Sequence, residues 1–217
     1  MTEKMPAISL FDVTGPIMTG PSSSHTAGAV RIGSMGRQII GEEPSTIKIL
    51  FYGSLAETYK GHMTDSGVVA GLMDLSVDDP NIRSALGSAG DRNISLEIET
   101  NTQSDKNPNT IEMKLSTPLY SAHISALTVG GGEILIQEIN GFAVELRGKK
   151  DVLLLWGEDG QVDKSLNALR SDPAYERETS SSNGRERMYI VYFSETPSKA
   201  SLSSLEKEIP SGNFRYL

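Results

Sequence analysis

Glu133-Ile134-Leu135-Ile136-Gln137-Glu138-Ile139-Asn140-Gly141-Phe142-Ala143-Val144-Glu145-Leu146-Arg147 decides the fold class. Apolar and polar residues alternate over 133–138 and again over 142–147. Between them stands Asn-Gly, the pair best suited to the two left-handed residues of a type I′ turn. A β-hairpin is expected here, and with it antiparallel sheet. Beyond Gly148-Lys149-Lys150 the pattern restarts. Residues 151–156 read as a buried strand, and 161–170 as a helix with Val162, Leu166 and Leu169 at helical spacing. The polar stretch 171–187 reads as a loop plus a weak strand, 188–193 as a strand, 199–208 as a helix with Leu202 and Leu205 inward, and 213–217 as a closing strand. That order, β-α-β-β-α-β, is the ferredoxin-like split unit.

Upstream of the hairpin, helices and strands mix. An amphipathic piece at 8–13 and a Gly/Pro loop at 14–21 precede Ser22-Ser23-Ser24-His25-Thr26, where any of the serines could cap a helix. That helix carries Ala27, Val30, Met35 and Ile39, and Gly41 stands where a left-handed cap is expected. Gly28, Gly33 and Gly36 lower its propensity, which points to close packing against another backbone. A strand is expected at 46–53, with Ile47, Ile49 and Phe51 alternating with Lys48 and Leu50, and a helix at 65–75. Residues 93–100 and 110–115 are expected to pair as strands across a long polar connection, 101–109. The chain is thus expected to be α+β, with one unit over residues 1–148 and a second over 149–217.

Composition narrows the function. The 217 residues include no cysteine, so the chain offers no disulfide, no thiolate zinc site, no cysteine nucleophile and no conventional Fe–S ligand. Acidic residues number 28 against 20 basic, a net charge of −8, which repels phosphate backbones and argues against nucleic acid. The apolar runs are far short of a membrane span, and the start lacks the layout of a secretory signal. A soluble, cytoplasmic protein with no membrane role is expected.

His25, His62 and His123 are the groups expected to titrate near neutral pH. At a helix start, Ser22, Ser23, Ser24, His25 and Thr26 place hydroxyls and an imidazole beside unpaired N–H groups and the positive end of the dipole, a setting for a carboxylate. Spacing alone does not separate this from a capping cluster. In Lys60-Gly61-His62-Met63-Thr64-Asp65, the carboxylate three residues after the histidine could orient it or cap the next helix, and spacing favours the cap. His123 reads as structural. Two distant histidines are too few ligands for a metal site. Gly130-Gly131-Gly132 lacks the lysine of a P-loop and reads as a turn beside a strand. With no Gly-x-Ser-x-Gly elbow, the serines read as donors to a ligand rather than nucleophiles.

These residues carry a resemblance. Ser9-Leu10-Phe11-Asp12-Val13-Thr14-Gly15-Pro16 followed by Gly20-Pro21-Ser22-Ser23-Ser24-His25-Thr26-Ala27-Gly28 resembles the signature of the beta subunit of iron–sulfur-dependent L-serine dehydratase. Tyr52-Gly53-Ser54-Leu55-Ala56, Lys60–Asp65 and Thr128-Val129-Gly130-Gly131-Gly132 are similar to further blocks of that family, which often has Gly or His where this chain has Met63. The resemblance implies an allosteric-substrate-binding-like first domain and an ACT-like second one. In the latter, Gly160 fits the family pattern, while Asp159 replaces a common proline and Gly157 a common acidic residue. It implies a cysteine-containing alpha subunit that binds a [4Fe–4S] cluster, none being bound by this chain, and deamination of L-serine to pyruvate and ammonia.

Expelling hydroxide from serine calls for a Schiff base or a Lewis acid, and this chain shows neither a lysine in a cofactor setting nor a thiolate. It is therefore expected to be inactive alone and to close the site of its partner, in a homo-oligomeric assembly. On the resemblance, His25 and His62 are the catalytic groups, and Ser22, Ser23, Ser24, Thr26, Thr64 and Asp65 contact substrate. The rival reading is a purely regulatory, amino-acid-sensing subunit. A scaffold that only stabilises its partner is a third.

Overall fold

The computed structural model describes residues 17–148, 151–158, 160, 162–209 and 213–217. The amphipathic piece at 8–13, the 9–16 half of the motif and Asp159 lie outside the described residues.

Six strands build the first sheet: β1 (Thr46–Tyr52), β2 (Ser95–Asn101), β3 (Thr110–Ser116), β4 (Ser121–Gly130), β5 (Glu133–Ile139) and β6 (Phe142–Leu146), in the order β2-β1-β3-β4-β5-β6. Only β1 and β2 run parallel. The expected pairing of 93–100 with 110–115 is wrong, because β1 lies between those segments, with Ile47 opposite Leu96 on one side and Leu115 on the other. In β1 the side chains of Ile47, Ile49 and Phe51 are fully buried, whereas the segment 95–101 contains only half-buried and exposed residues. The more apolar strand takes the interior place. The connection 101–109 is long enough to pass over one strand spacing of about 4.8 Å on each side. The hairpin turns at Asn140 and Gly141, with φ of 51° and 83°, as a type I′ turn requires.

On one face of this sheet lie α1 (Gly28–Ile40), α2 (Gly53–Thr58), α3 (Thr64–Leu72) and α4 (Ala85–Asp91), the last preceded by a 3-10 turn, Pro80–Ser84. In α1 the buried residues Val30, Ile32, Met35, Ile39 and Ile40 form the inward stripe, and Gly41 ends it at φ 91° with its N–H on Arg37 O. Every residue of α3 is buried, the polar Thr64, Asp65 and Ser66 of its first turn included, and from Gly67 to Leu72 it carries only apolar residues and glycine. α1 and α3 cross at glycines. A Cβ on Gly33 would stand 2.1 Å from Val68 O, and one on Gly71 2.0 Å from Val30 O. Gly28 and Gly36 instead face side chains, of Thr128 and of Met113, Leu72 and Leu115.

The second unit comprises β7 (Asp151–Gly157), α5 (Asp163–Arg170), β8 (Tyr175–Ser182), β9 (Arg187–Phe193), α6 (Lys199–Glu208) and β10 (Phe214–Tyr216). Its sheet is antiparallel in the order β10-β7-β9-β8, the ferredoxin-like arrangement. One face packs on its own helices, through Leu153, Leu155, Val191 and Phe193 against Leu166 and Leu205. The other face, with Val152, Leu154, Ile190 and Tyr192, joins the same core as Met35, Ile39 and Leu146 of the first unit. Burial on both faces explains the unbroken apolar run of β7. Arg215 of β10 completes the junction: Nε and Nη2 donate to Ile39 O and Ile40 O at 3.1 and 3.3 Å, at the C-terminal end of α1. Among the described residues, no helix is long and apolar enough to cross a membrane.

Candidate functional site

The serine-rich motif folds as one π-helical turn, Ser23–Ala27, that runs directly into α1. Ser22 is extended and acts as its cap: its Oγ accepts from the His25 N–H at 3.2 Å and stands 3.0 Å from His25 Nδ1. Ser23 and Ser24 occupy the first two positions, whose N–H groups have no acceptor within a helix. Gly20, at φ 113°, backs onto Thr26, where a Cβ would come within 2.5 Å of Thr26 Cγ2. A side chain there would push Thr26 out of place. Single π-turns of this kind recur at functional sites.

His62 arrives from another direction. It follows α2, with its N–H donating to Thr58 O at 3.1 Å and its ring Nδ1 3.3 Å from the same oxygen. A carbonyl only accepts, so that contact places the proton on Nδ1. A neutral His62 then presents Nε2 as an acceptor. Thr26 Oγ1 donates to His62 O at 2.7 Å and ties the two motifs together. The outcome is a stacked pair, with the His25 and His62 rings 4.7 Å apart between centroids and 22° from parallel. Burial, and behind it the proximity of His62, lowers the pKa of His25 below 6.5. A neutral His25 is therefore favoured at pH 7.

After His62, Met63 adopts the left-handed region at φ 55° and turns the chain into α3. Thr64 is fully buried, and its hydroxyl has no hydrogen-bond partner. Asp65 lies in the first turn of α3, 6% exposed, with Oδ1 accepting from Ser66 N at 2.7 Å. It does not cap α3, which has Met63 at the cap position and no side-chain cap. The helix dipole favours its charge there instead. Ser22, Ser23, Ser24, His25 and His62 are half-buried, whereas Thr26 and Thr64 are fully buried. Thr26 spends its hydroxyl on the His62 carbonyl, which makes it a positioning group.

The glycine triplet forms the β4–β5 turn with φ of 102°, 60° and 81°. Arg31 of α1 donates to Gly132 O at 2.6 Å and holds that turn beside the helix. Neither Arg31 nor Thr58 carried a signal in the sequence, because each acts through a backbone carbonyl. His123 lies on β4, its Nε2 3.7 Å from Glu112 Oε2. Its neighbourhood is a separate cluster in which Tyr52 O–H donates to Glu112 at 3.0 Å and Lys106 pairs with the same carboxylate. Burial raises the pKa of Glu112, but the bonds from Lys106 and Tyr52 outweigh it and leave the group lowered. No three His, Asp or Glu residues among the described ones converge as a metal site.

Comparison with known proteins places these motifs. The model of the family described as serine dehydratase beta chain matches residues 9–128. The chain is 42% identical over 163 residues to the probable L-serine dehydratase, beta chain, of Bacillus subtilis (strain 168), covering 74% of each. It is 31% identical over 204 residues to the L-serine dehydratase, beta chain, of Peptoniphilus asaccharolyticus, covering 93% of this chain and 92% of that one. Against L-serine dehydratase 2 of Escherichia coli (strain K12) it is 38% identical over 71 residues, 30% of this chain and 15% of that one.

Proposed function

The chain belongs to the serine dehydratase beta chain family, and we propose that it closes the active site of a cysteine-bearing alpha subunit that converts L-serine to pyruvate and ammonia. The observation that carries this reading is the stacked pair of His25 and His62 beside the serine turn. Loss of the Cα proton and the β-hydroxyl of serine gives an enamine, which tautomerises and is hydrolysed by water. His62 Nε2, the acceptor nitrogen of the tautomer that the Nδ1–Thr58 contact favours, accepts a proton in that sequence. His25, kept neutral by burial and by its neighbour, holds the facing side of the site. The hydroxyls of Ser23 and Ser24 and the N–H groups of the turn hold the substrate carboxylate.

The donor set of this chain does not fit the [4Fe–4S] cluster that the resemblance assigns to the alpha subunit. It has no cysteine, and no three carboxylates or imidazoles converge among the described residues. Its share is confined to binding, orienting and proton transfer, so it is inactive by itself. The test is reconstitution: the purified chain is mixed with its anaerobically prepared alpha subunit, and pyruvate is followed from L-serine. Turnover requiring both chains is expected. Turnover by the partner that this chain leaves unchanged would overturn the reading.

A further inference from the structure

Helix α2, whose last residue Thr58 orients His62, is seated at its start by the connection 101–109. It has no side-chain cap. Pro108 O takes that part, accepting from Leu55 N at 3.2 Å and from Ser54 Oγ at 3.5 Å. Gly53 makes the contact close: it stands at φ 52°, and a Cβ there would come within 2.5 Å of Pro108 Cα. Within α2, Thr58 Oγ1 donates to Ser54 O at 2.8 Å, and Thr58 O accepts from the His62 N–H and faces its ring Nδ1. A shift of Pro108 is thus passed along one short helix to the His62 ring.

The same connection reaches the other histidine. Asn109 O accepts from Thr128 N at 3.3 Å. Thr128, on β4, is buried against Gly28, where a Cβ would stand 3.1 Å from Thr128 Cγ2. Gly28 in turn follows the π-helical turn that bears His25, and its N–H donates to His25 O.

Charge anchors the connection. Lys106 pairs with Glu112 of β3 and lies 5.0 Å from the centroid of the Tyr52 ring, whose O–H donates to Glu112 at 3.0 Å. The Glu112 side chain is 12% exposed, so its charge is met by the Lys106 ammonium rather than by water. The anchor brackets the Gly53–Pro108 contact: Tyr52 adjoins Gly53, and Lys106 lies two residues before Pro108.

We propose that Lys106 and Glu112 are positioning residues for the histidine pair: their ion pair seats the connection 101–109, which holds His62 through α2 and His25 through Thr128. The placement of the rings stands on these contacts alone; only its effect on turnover rests on the function proposed above.

Ring 15N NMR of the full chain tests it, with the signals of the pair assigned from His25→Gln and His62→Gln. The Lys106 side chain is 48% exposed, so Lys106→Met disturbs no core, and Glu112→Gln breaks the pair from its other side. In the wild type the His62 tautomer with its proton on Nδ1 is expected to prevail. Both variants should lower the ratio of that tautomer to the Nε2-protonated one about fivefold and shift the His25 signals, as a loosened hydrogen bond to Thr58 O requires. Lys106→Arg, which keeps the pair, should retain the wild-type signals. Ring signals unchanged in both Lys106→Met and Glu112→Gln overturn the proposal. An equal response to Arg170→Met, which breaks the Arg170–Glu178 pair of the second unit, would reduce the effect to general loosening and overturn it too. In the reconstituted enzyme Lys106→Met should lower kcat about tenfold, less than loss of either histidine. Failure of reconstitution removes the proposed function and leaves the ring signals to decide the positioning role.

Discussion

Gly33 and Gly71 meet where α1 crosses α3, and neither position has room for a methyl group. That crossing is what brings the histidines together. His25 lies just upstream of α1 and His62 just upstream of α3, so the angle and distance between the helices set the spacing of the rings.

Gly33→Ala or Gly71→Ala therefore costs about 3 kcal/mol through overpacking against backbone, and turnover in the reconstituted enzyme falls with it. Gly87→Ala in α4 is the control. A Cβ there meets nothing within 4 Å, so the change stabilises by about 0.5 kcal/mol. Chemical denaturation of the three variants checks the order; equal midpoints would remove the crossing from the account.

His25→Ala and His62→Ala each lower kcat by about 10²-fold if the imidazoles move protons. Near-normal turnover in both would leave them structural. A purely sensing subunit predicts instead a changed effector dependence with the maximal rate kept. Thr26→Val removes the hydroxyl that holds the His62 carbonyl and costs about 1 kcal/mol, with a smaller loss of kcat than either histidine variant.

The lowered pKa of His25 fixes the sign of a pH effect. Protonation is disfavoured in the folded chain relative to the unfolded one, so this group costs nothing well above pH 6.5. Its cost grows as pH falls through 6.5 towards the lowered value. Wild-type protein should thus lose stability below pH 6.5 more steeply than His25→Gln, which has no group to titrate there. Parallel acid limbs in denaturation curves of the two proteins would contradict this.

Much of the architecture could be read from local chemistry. Asn140-Gly141 dictates its turn by the left-handed φ that both residues accept, and the spacing of Val162, Leu166 and Leu169 marks α5. β4 escaped because Ala122, Ser125 and Ala126 give a weak strand signal, although burial alternates from Ala122 to Ile124. The partner of β2 was misjudged because neighbours in sequence favour hairpins, whereas the apolar β1 claims the central position. His25 and His62 stood out from their motifs, but their stacking depends on glycine contacts between helices, which neither motif encodes. The Thr58 and Gly132 carbonyls that hold the site belong to the backbone and leave no mark in composition.

Arg215→Met keeps most of the side chain's bulk and deletes its bonds to Ile39 O and Ile40 O. It should cost about 2 kcal/mol, since two carbonyls at a helix C-terminus lose a cationic donor. The thermal midpoint of the purified chain checks this. An unchanged midpoint would show that the apolar junction alone joins the units.

That junction makes neither half a detachable accessory. Severed after residue 148, the N-terminal part would turn Met35, Ile39 and Leu146 towards water, and the C-terminal part Ile190 and Tyr192. Each fragment should clump. Any shuffled tail that replaced the second part would need a hydrocarbon flank of matching breadth and a cation to seat against the last carbonyls of α1.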